Sequence, residues 1–576
     1  MGRHLVLVLP SKNSNEFPYD YETAEMIYGS ILEGEVSRLT FVDIEDGFSS
    51  FEDLPEGIEE LLEEKEKAHL IGSSRVVSIE GMDPLRKDWG SLMSSYFRPL
   101  LSIGSEEVEV TYQLGPGSAL LTGMMVGLAS STESKIIANS PFDVDGVSSA
   151  IDIEFVKRGS GAYSELFGGV QLGKRPRKDS AFQRNILVRM LEEGALGETY
   201  SDPVGKWMTA RQIASGEGMP ESAQGIGAPM GVLEKLGLVC QNGGGTEDLG
   251  RAYMRYSLTP EGIVAALETR RHHNSAFGRT YDPVTRGPDE ERQTNSSHFK
   301  REAKGVIVGF RIEEEVSEVS QGESEEHANR ILNSFDYVAP VLCHIGSESR
   351  TRFMEADPRE AQKNLYETIV NQRGKGINDK IFYSICGPDW DPRRHFSSVI
   401  ESLMGLPPNV EWSVDLTRLS AWDQVVFSIA SNLLEMPLIY SARDRGKGSR
   451  GGVAKAPDGA TIGKGLLHVK LPSHQTWRLI RDLNEESAGG MRDLPTILGS
   501  INRPTTDYVI FMSDFNRITG SNDKENSRVS AKLDVPRTFV QGAFDSGGGK
   551  TKFGWALTES GVIASKFIRA RKGVKK

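Results

Sequence analysis

The sequence predicts an α/β protein: doubly wound parallel sheets alternating with winged helix-turn-helix units. Three observations predict it. Short apolar runs alternate with helical patterns over residues 1–172. Three helices, a β-hairpin and a closing helix follow over 173–271. Fragments of both patterns then recur in the same order later in the chain.

The apolar runs of the first unit are "HLVLVLP", "LTFVDIED", "RVVSIEG", "EVEVTYQLG" and "SKIIANS". The helical patterns "YDYETAEMIYGSILEG" and "GIEELLEEKEKAHL" lie between them. Strands separated by amphipathic helices read as crossover units of a parallel sheet. "SAIDIEFVKRGS" reads as a hairpin or edge strand. In the second unit, "AFQRNILVRMLEEG" is a helix. "TARQIASGEG" is a shorter one with Thr209 placed to cap it. "ESAQGIGAPMGVLEKLGLV" is a helix ending at Gly237. A strand, a Gly-rich turn, a second strand and "TPEGIVAALETRR" complete the unit, with Thr259 as cap and Pro260 in the first turn. That order is a winged helix-turn-helix.

The duplication rests on five matches. "YSLTPEGIVAAL" from Tyr256 recurs as "WALTESGVIASKF" from Trp555, 299 positions later. "LVRMLEE" from Leu187 matches "LIRDLNEE" from Leu479, and "NGGGTEDLGRAYMRYSLT" matches "SGGGKTKFGWALT". Val108, Leu114, Ser118 and Ala119 fall on Val410, Leu416, Ser420 and Ala421 at a constant offset of 302. "HLVLVL" matches "KGVIVGF". The expected units are therefore 1–172 and 304–442 for the α/β domains, and 173–271 and 466–576 for the winged helices. Polar residues 272–303 read as one linker, and Gly-rich residues 443–465 as another.

Composition narrows the function. The chain has 576 residues, a formal net charge of −13 and a pI of about 5.5. A uniformly basic nucleic-acid coat is excluded, whereas a local basic face is not. The three cysteines, Cys240, Cys343 and Cys386, form no CxxC pair, which suits a reduced compartment. No apolar run approaches the roughly eighteen residues of a membrane span, and "HLVLVLP" is too short for a signal peptide core. A soluble cytoplasmic protein without membrane partner is expected.

Candidate binding residues cluster at one junction. In "VTYQLGPGSALLTGMMVGLASSTESKIIA" a strand meets a Gly-Pro-Gly turn and an apolar helix. A helix N-terminus offers unpaired N–H groups and partial positive charge. Gly115 and Gly117 let an anion approach the backbone, and Ser118 and Thr122 carry hydroxyl donors. Thr417, Arg418 and Ser420 hold the corresponding places in the second copy. The plainer reading is a tight turn that packs its helix on the sheet. "FDSGGGKT" approaches a P-loop, but a strand, "KFGWALT", follows where a helix is required, so it reads as a wing tip. Lys550 and Lys552 would there reach phosphates, and Arg251 and Arg255 are the candidates on the first wing. Lys174 and Arg175 in "KRPRK", with Ser222 and Gln224 opening the third helix, complete the candidate DNA contacts. "CGPDWDPRRH" offers carboxylates, arginines and a histidine, yet spacing alone does not make them converge. No metal-ligand spacing occurs. No catalytic, metal or cofactor site is expected.

These features resemble the CRISPR-associated Rossmann fold (CARF) family, in particular its archaeal members with a C-terminal winged helix. The resembling stretches are "LGPGSALLTGMM", Leu114 to Met125, and "DLTRLSAWDQV", Asp415 to Val425. The Gly-Thr-Lys that many members carry at this turn is replaced by Ser118-Ala119 and Ser420-Ala421. The resemblance implies a CARF–winged helix–CARF–winged helix chain and a cyclic oligonucleotide messenger lying on Gly115, Gly117, Ser118, Ala119, Thr122, Thr417, Arg418 and Ser420. It implies a two-fold arrangement, supplied by an internal pseudo-dimer in a monomer or by a homodimer. It further implies double-stranded DNA as partner and a role in transcription regulation. Two other classes stay open: a ring nuclease or nuclease effector built on the same tandem, and a protein-interaction scaffold with vestigial pockets.

Overall fold

A computed structural model describes residues 3–9, 18–32, 36, 38–43, 54–67, 74–78, 109–114, 122–123, 125–126, 129, 134–144, 147–168, 178–215, 219, 224–242, 254–276, 303–310, 335–342, 391–407, 410–417, 419, 421–434, 436, 438–441, 466–469, 540–545 and 552–557. The chain opens with β1 (Arg3–Val8), α1 (Tyr21–Tyr28), β2 (Arg38–Asp43), α2 (Glu56–Lys67) and β3 (Ser74–Ser78). β4 (Glu109–Leu114), β5 (Lys135–Val144) and β6 (Val147–Asp152) follow. Their order across the sheet is β3-β2-β1-β4-β5-β6. The pairings are parallel as far as β5, and β6 returns antiparallel.

Period-two alternation divides the core of this sheet. Leu5, Leu7, Leu39 and Phe41 pack with Ile27, Tyr28, Ile58 and Leu61 of α1 and α2. Val6, Val8, Tyr112 and Leu114 belong to a second cluster. Both faces are thus covered, as a parallel sheet requires. Asp20 caps α1 by accepting from Thr23 N at 2.8 Å. "SAIDIEFVKRGS" holds the expected edge strand, β6, but its second half starts a helix, α3 (Glu154–Gly168). Phe155, Val156, Ala162, Tyr163 and Leu166 are its buried residues. Their spacing of three and four is helical, and glycines 159 and 161 interrupt it in the sequence.

The next elements are α4 (Lys178–Glu192), β7 (Met208–Thr209), α5 (Ala210–Ala214), α6 (Gln224–Lys235), β8 (Val239–Asn242), β9 (Arg255–Leu258) and α7 (Pro260–Ala276). The strands form an antiparallel sheet in the order β7-β9-β8. Thr209 closes a full capping box with Gln212 at the start of α5. Gly237 ends α6 at φ 70°, the left-handed conformation that glycine adopts without penalty. Thr259 accepts from Gly262 N at 3.1 Å and donates to Gly237 O at 2.6 Å, joining the start of α7 to the end of α6. Ile263 to Leu267 are five consecutive buried residues, so α7 is enclosed on every side. It lies against α3 and α4.

The second sheet is built from β10 (Ala303–Phe310), β11 (Tyr337–Leu342), β12 (Val410–Asp415), β13 (Leu438–Ser441) and β14 (Leu466–Val469). α8 (Pro392–Met404) precedes β12, and α9 (Ala421–Leu433) follows it. The order β11-β10-β12-β13-β14 reproduces β2-β1-β4-β5-β6, including the antiparallel last strand. Register repeats as well: Val6 stands beside Tyr112, and Ile307 beside Val414. β14, on residues that the sequence assigns to the second winged unit, pairs antiparallel with β13. That pairing occupies the backbone groups that β13 would otherwise present as a sheet edge. Finally, β15 (Val540–Asp545) and β16 (Lys552–Leu557) form an antiparallel hairpin. Val540 faces Leu557 as Val239 faces Leu258. Among the described residues no helix is long and apolar enough to cross a membrane.

Candidate functional site

Corresponding strand ends of the two sheets carry buried polar side chains. Gln113 is the fully buried penultimate residue of β4, and its Oε1 accepts from Val8 N at 3.4 Å. The matching position, 302 residues on, is Asp415 at the end of β12, also fully buried. Its Oδ1 accepts from Thr417 N at 3.0 Å and from Thr417 Oγ1 at 2.6 Å. Two hydrogen bonds to one carboxylate oxygen fix the strand-to-helix turn and satisfy a charge that burial would otherwise penalise. Thr417, one of the expected ligand contacts, donates its hydroxyl proton to Asp415.

The helical segment after β4 carries Thr122, Gly123, Met125, Val126 and Ala129. A Cβ on Gly123 would stand 3.0 Å from Leu438 Cδ1 and 3.3 Å from Leu416 Cδ1. This helix therefore leans on the turn after β12 and the start of β13. In return α9, the helix after β12, packs on β5. The contact is reciprocal, as at an isologous two-fold interface. Open α/β sheets take their ligands outside the carboxyl ends of their strands, where Gln113 and Asp415 lie. Thr122 is fully buried, and among the described residues its Oγ1 has no hydrogen-bond partner.

α9 buries five polar residues: Asp423, Gln424, Ser428, Ser431 and Asn432. Gln424 Nε2 donates to Leu419 O at 3.0 Å, bracing the turn that opens the helix. Asp423 Oδ1 lies 2.9 Å from His395 Nε2 of α8, and the imidazole stacks near Trp422 at a centroid distance of 6.1 Å.

The residues of "CGPDWDPRRH" that are described go to different partners. Asp391 caps α8 by accepting from Arg393 N at 2.9 Å. Arg393 donates through both terminal nitrogens to Glu261 of α7, at 2.8 and 2.6 Å. The Glu261 carboxylate raises the guanidinium above its ordinary pKa. Burial pushes the Cys240 thiol up, which keeps it protonated and unreactive. The Glu261–Arg393 and Asp423–His395 pairs escaped the sequence reading, because partners 132 and 28 positions apart leave no local pattern.

Of the expected messenger contacts, Thr122 and Thr417 are placed as above. Gly115, Gly117, Ser118, Ala119, Arg418 and Ser420 lie outside the described residues. Of the expected DNA contacts, Gln224 opens α6 and Arg255 opens β9, both exposed, while Lys552 opens β16. Lys174, Arg175, Ser222, Arg251 and Lys550 lie outside the described residues.

No family model matches the chain, and no curated protein matches it. Among solved structures, protein VC1899 from Vibrio cholerae is similar at 10% identity. The likeness covers 61% of this chain and 92% of that one, with a TM-score of 0.17. At that score it carries no argument about fold or function.

Proposed function

We propose that this chain is a CARF-type sensor of a cyclic oligonucleotide messenger that regulates transcription through winged-helix DNA binding. The observation that supports the reading is the reciprocal packing of two sheets of equal strand order, which would set the turns after β4 and β12 at a shared crevice. A cyclic messenger with approximate two-fold symmetry suits such a crevice. Its phosphates would meet helix N-termini, where unpaired N–H groups favour anions. The order α4–β7–α5–α6–β8–β9 suits a winged helix, and the β15–β16 hairpin would be the counterpart of its wing. Lys550 and Lys552 would place that second wing against a phosphate backbone.

The test is a thermal-shift and calorimetric screen against cyclic tri-, tetra- and hexa-adenylate and cyclic dinucleotides. One messenger should raise the melting temperature, and Gly117→Asp, which adds bulk and negative charge at the turn, should abolish the rise. Absence of a shift with every messenger overturns the reading. Anisotropy with duplex DNA then tests the second half, at stated salt because phosphate contacts release counterions.

One observation favours a protein partner for the first winged unit. The exposed face of α6 carries Gln224 but then Gly225, Gly227 and Ala228, which have little to offer base edges. DNA binding that survives Gln224→Ala unchanged would support that second reading.

A further inference from the structure

The strongest feature not absorbed above is α8, the helix that begins inside "DPRRH". Residues 395–400 are buried without interruption, so neighbours surround it. Those neighbours belong to both halves of the chain. Arg393 holds Glu261 at the first turn of α7. Ser398 Oγ accepts from Tyr200 N at 2.7 Å, and Glu401 accepts from the Ser201 hydroxyl. Phe396 packs on Phe155 of α3 with ring centroids 4.8 Å apart. His395, between these contacts, holds Asp423 in the first turn of α9.

We infer that α8 is a clamp that ties the α4–α7 unit of the first half to the strand-to-helix junction of the second half, so that the first winged unit reads the crevice through the opposite sheet. The contacts at His395 and Arg393 differ in kind. His395 and Asp423 are each 1% exposed, a sealed joint. Arg393 is 45% exposed over a Glu261 that is 9% exposed, so water and salt reach the pair. The sealed joint makes α8 and the start of α9 move together, and the rim pair is the one that opens. Arg393 acts as a positioning residue, since it acts on the junction only through α8.

Hydrogen exchange on the full-length protein tests the clamp without any ligand. Arg393→Ala should speed exchange at least fivefold in the first turn of α7 and around residues 199–201. It should also speed exchange about threefold in the first turn of α9. Glu261→Gln, which keeps the shape, should reproduce the pattern, the double variant should add nothing further, and Arg393→Lys should fall between. Should the alanine variant fail to fold, Glu261→Gln alone decides. Faster exchange confined to α7, with α9 at its native rate, overturns the inference, because α8 would then be a wall and not a link. A second arm rests on the messenger reading and uses cyclic tetra-adenylate as probe. The native chain should gain protection in both α9 and α7, and Arg393→Ala in α9 alone. Equal gains in both helices of the variant would overturn the clamp. If the probe protects neither helix of the native chain, the messenger reading fails for that probe and the ligand-free arm still decides the clamp.

Discussion

At Gly262, a carbon in place of the hydrogen would stand 1.8 Å from the Leu238 carbonyl oxygen. Backbone cannot retreat from such a contact as a flexible side chain would. Gly262→Ala should therefore force α7 off the end of α6 and cost about 3 kcal/mol, read by denaturant unfolding. The repeat holds glycine again at 561, so this constraint was visible in the sequence, although its reason was not. Asp415→Ala should cost about 2 kcal/mol, because two donors of Thr417 lose a charged acceptor. Asp415 lay inside the quoted "DLTRLSAWDQV", but only its burial marks it as the turn's anchor. Tyr21 illustrates a pH effect. Its bond to the Glu64 carboxylate pushes the phenol up to about 12 from 10.0. A raised folded-state pKa gives stability that is full below pH 10 and fades as the pH climbs through 12. Ultraviolet titration of the native protein against Tyr21→Phe should show one late-ionising phenol fewer in the variant.

Among elements, those with a clean period or cap were legible. Thr209 and Thr259 cap the helices assigned to them, and β1 was plain from its unbroken apolar run. The elements that were missed lacked such a signal. α3 hides its stripe behind two glycines. One of these, Gly159, lets α3 approach α7 so closely that a Cβ would meet Val264 Cβ at 2.6 Å. α8 opens on Asp391 and Pro392, which read equally as a turn; the cap decides for a helix only once the buried face from His395 to Leu403 is known. Asp391→Ala should cost about 1 kcal/mol as the cap is lost. Because α8 bears the cross-half Arg393–Glu261 pair as well as the His395–Asp423 contact, the same variant should also weaken the cooperativity of thermal unfolding, which calorimetry would record as a broader transition.

For the whole molecule, one hydrophobic cluster runs through both sheets and the α4–α7 unit, including Tyr112, Val264, Phe396 and Trp422. Five matched segments point to a repeat, and the strand order β11-β10-β12-β13-β14 follows β2-β1-β4-β5-β6 among the described residues. The way the copies face each other could not be read, because Gly123, Leu416 and Leu438 meet across some 300 residues of chain. That facing has a consequence for a shortened protein. A chain ending at Ala276 would keep the first sheet and α7 but expose the surfaces that Leu416, Leu438 and Phe396 now cover. Because the interface is reciprocal, the best available cover is an identical surface. Light scattering should find this fragment at twice its monomer mass. Two copies of the first half would then pack against each other much as the two halves of the whole chain now do.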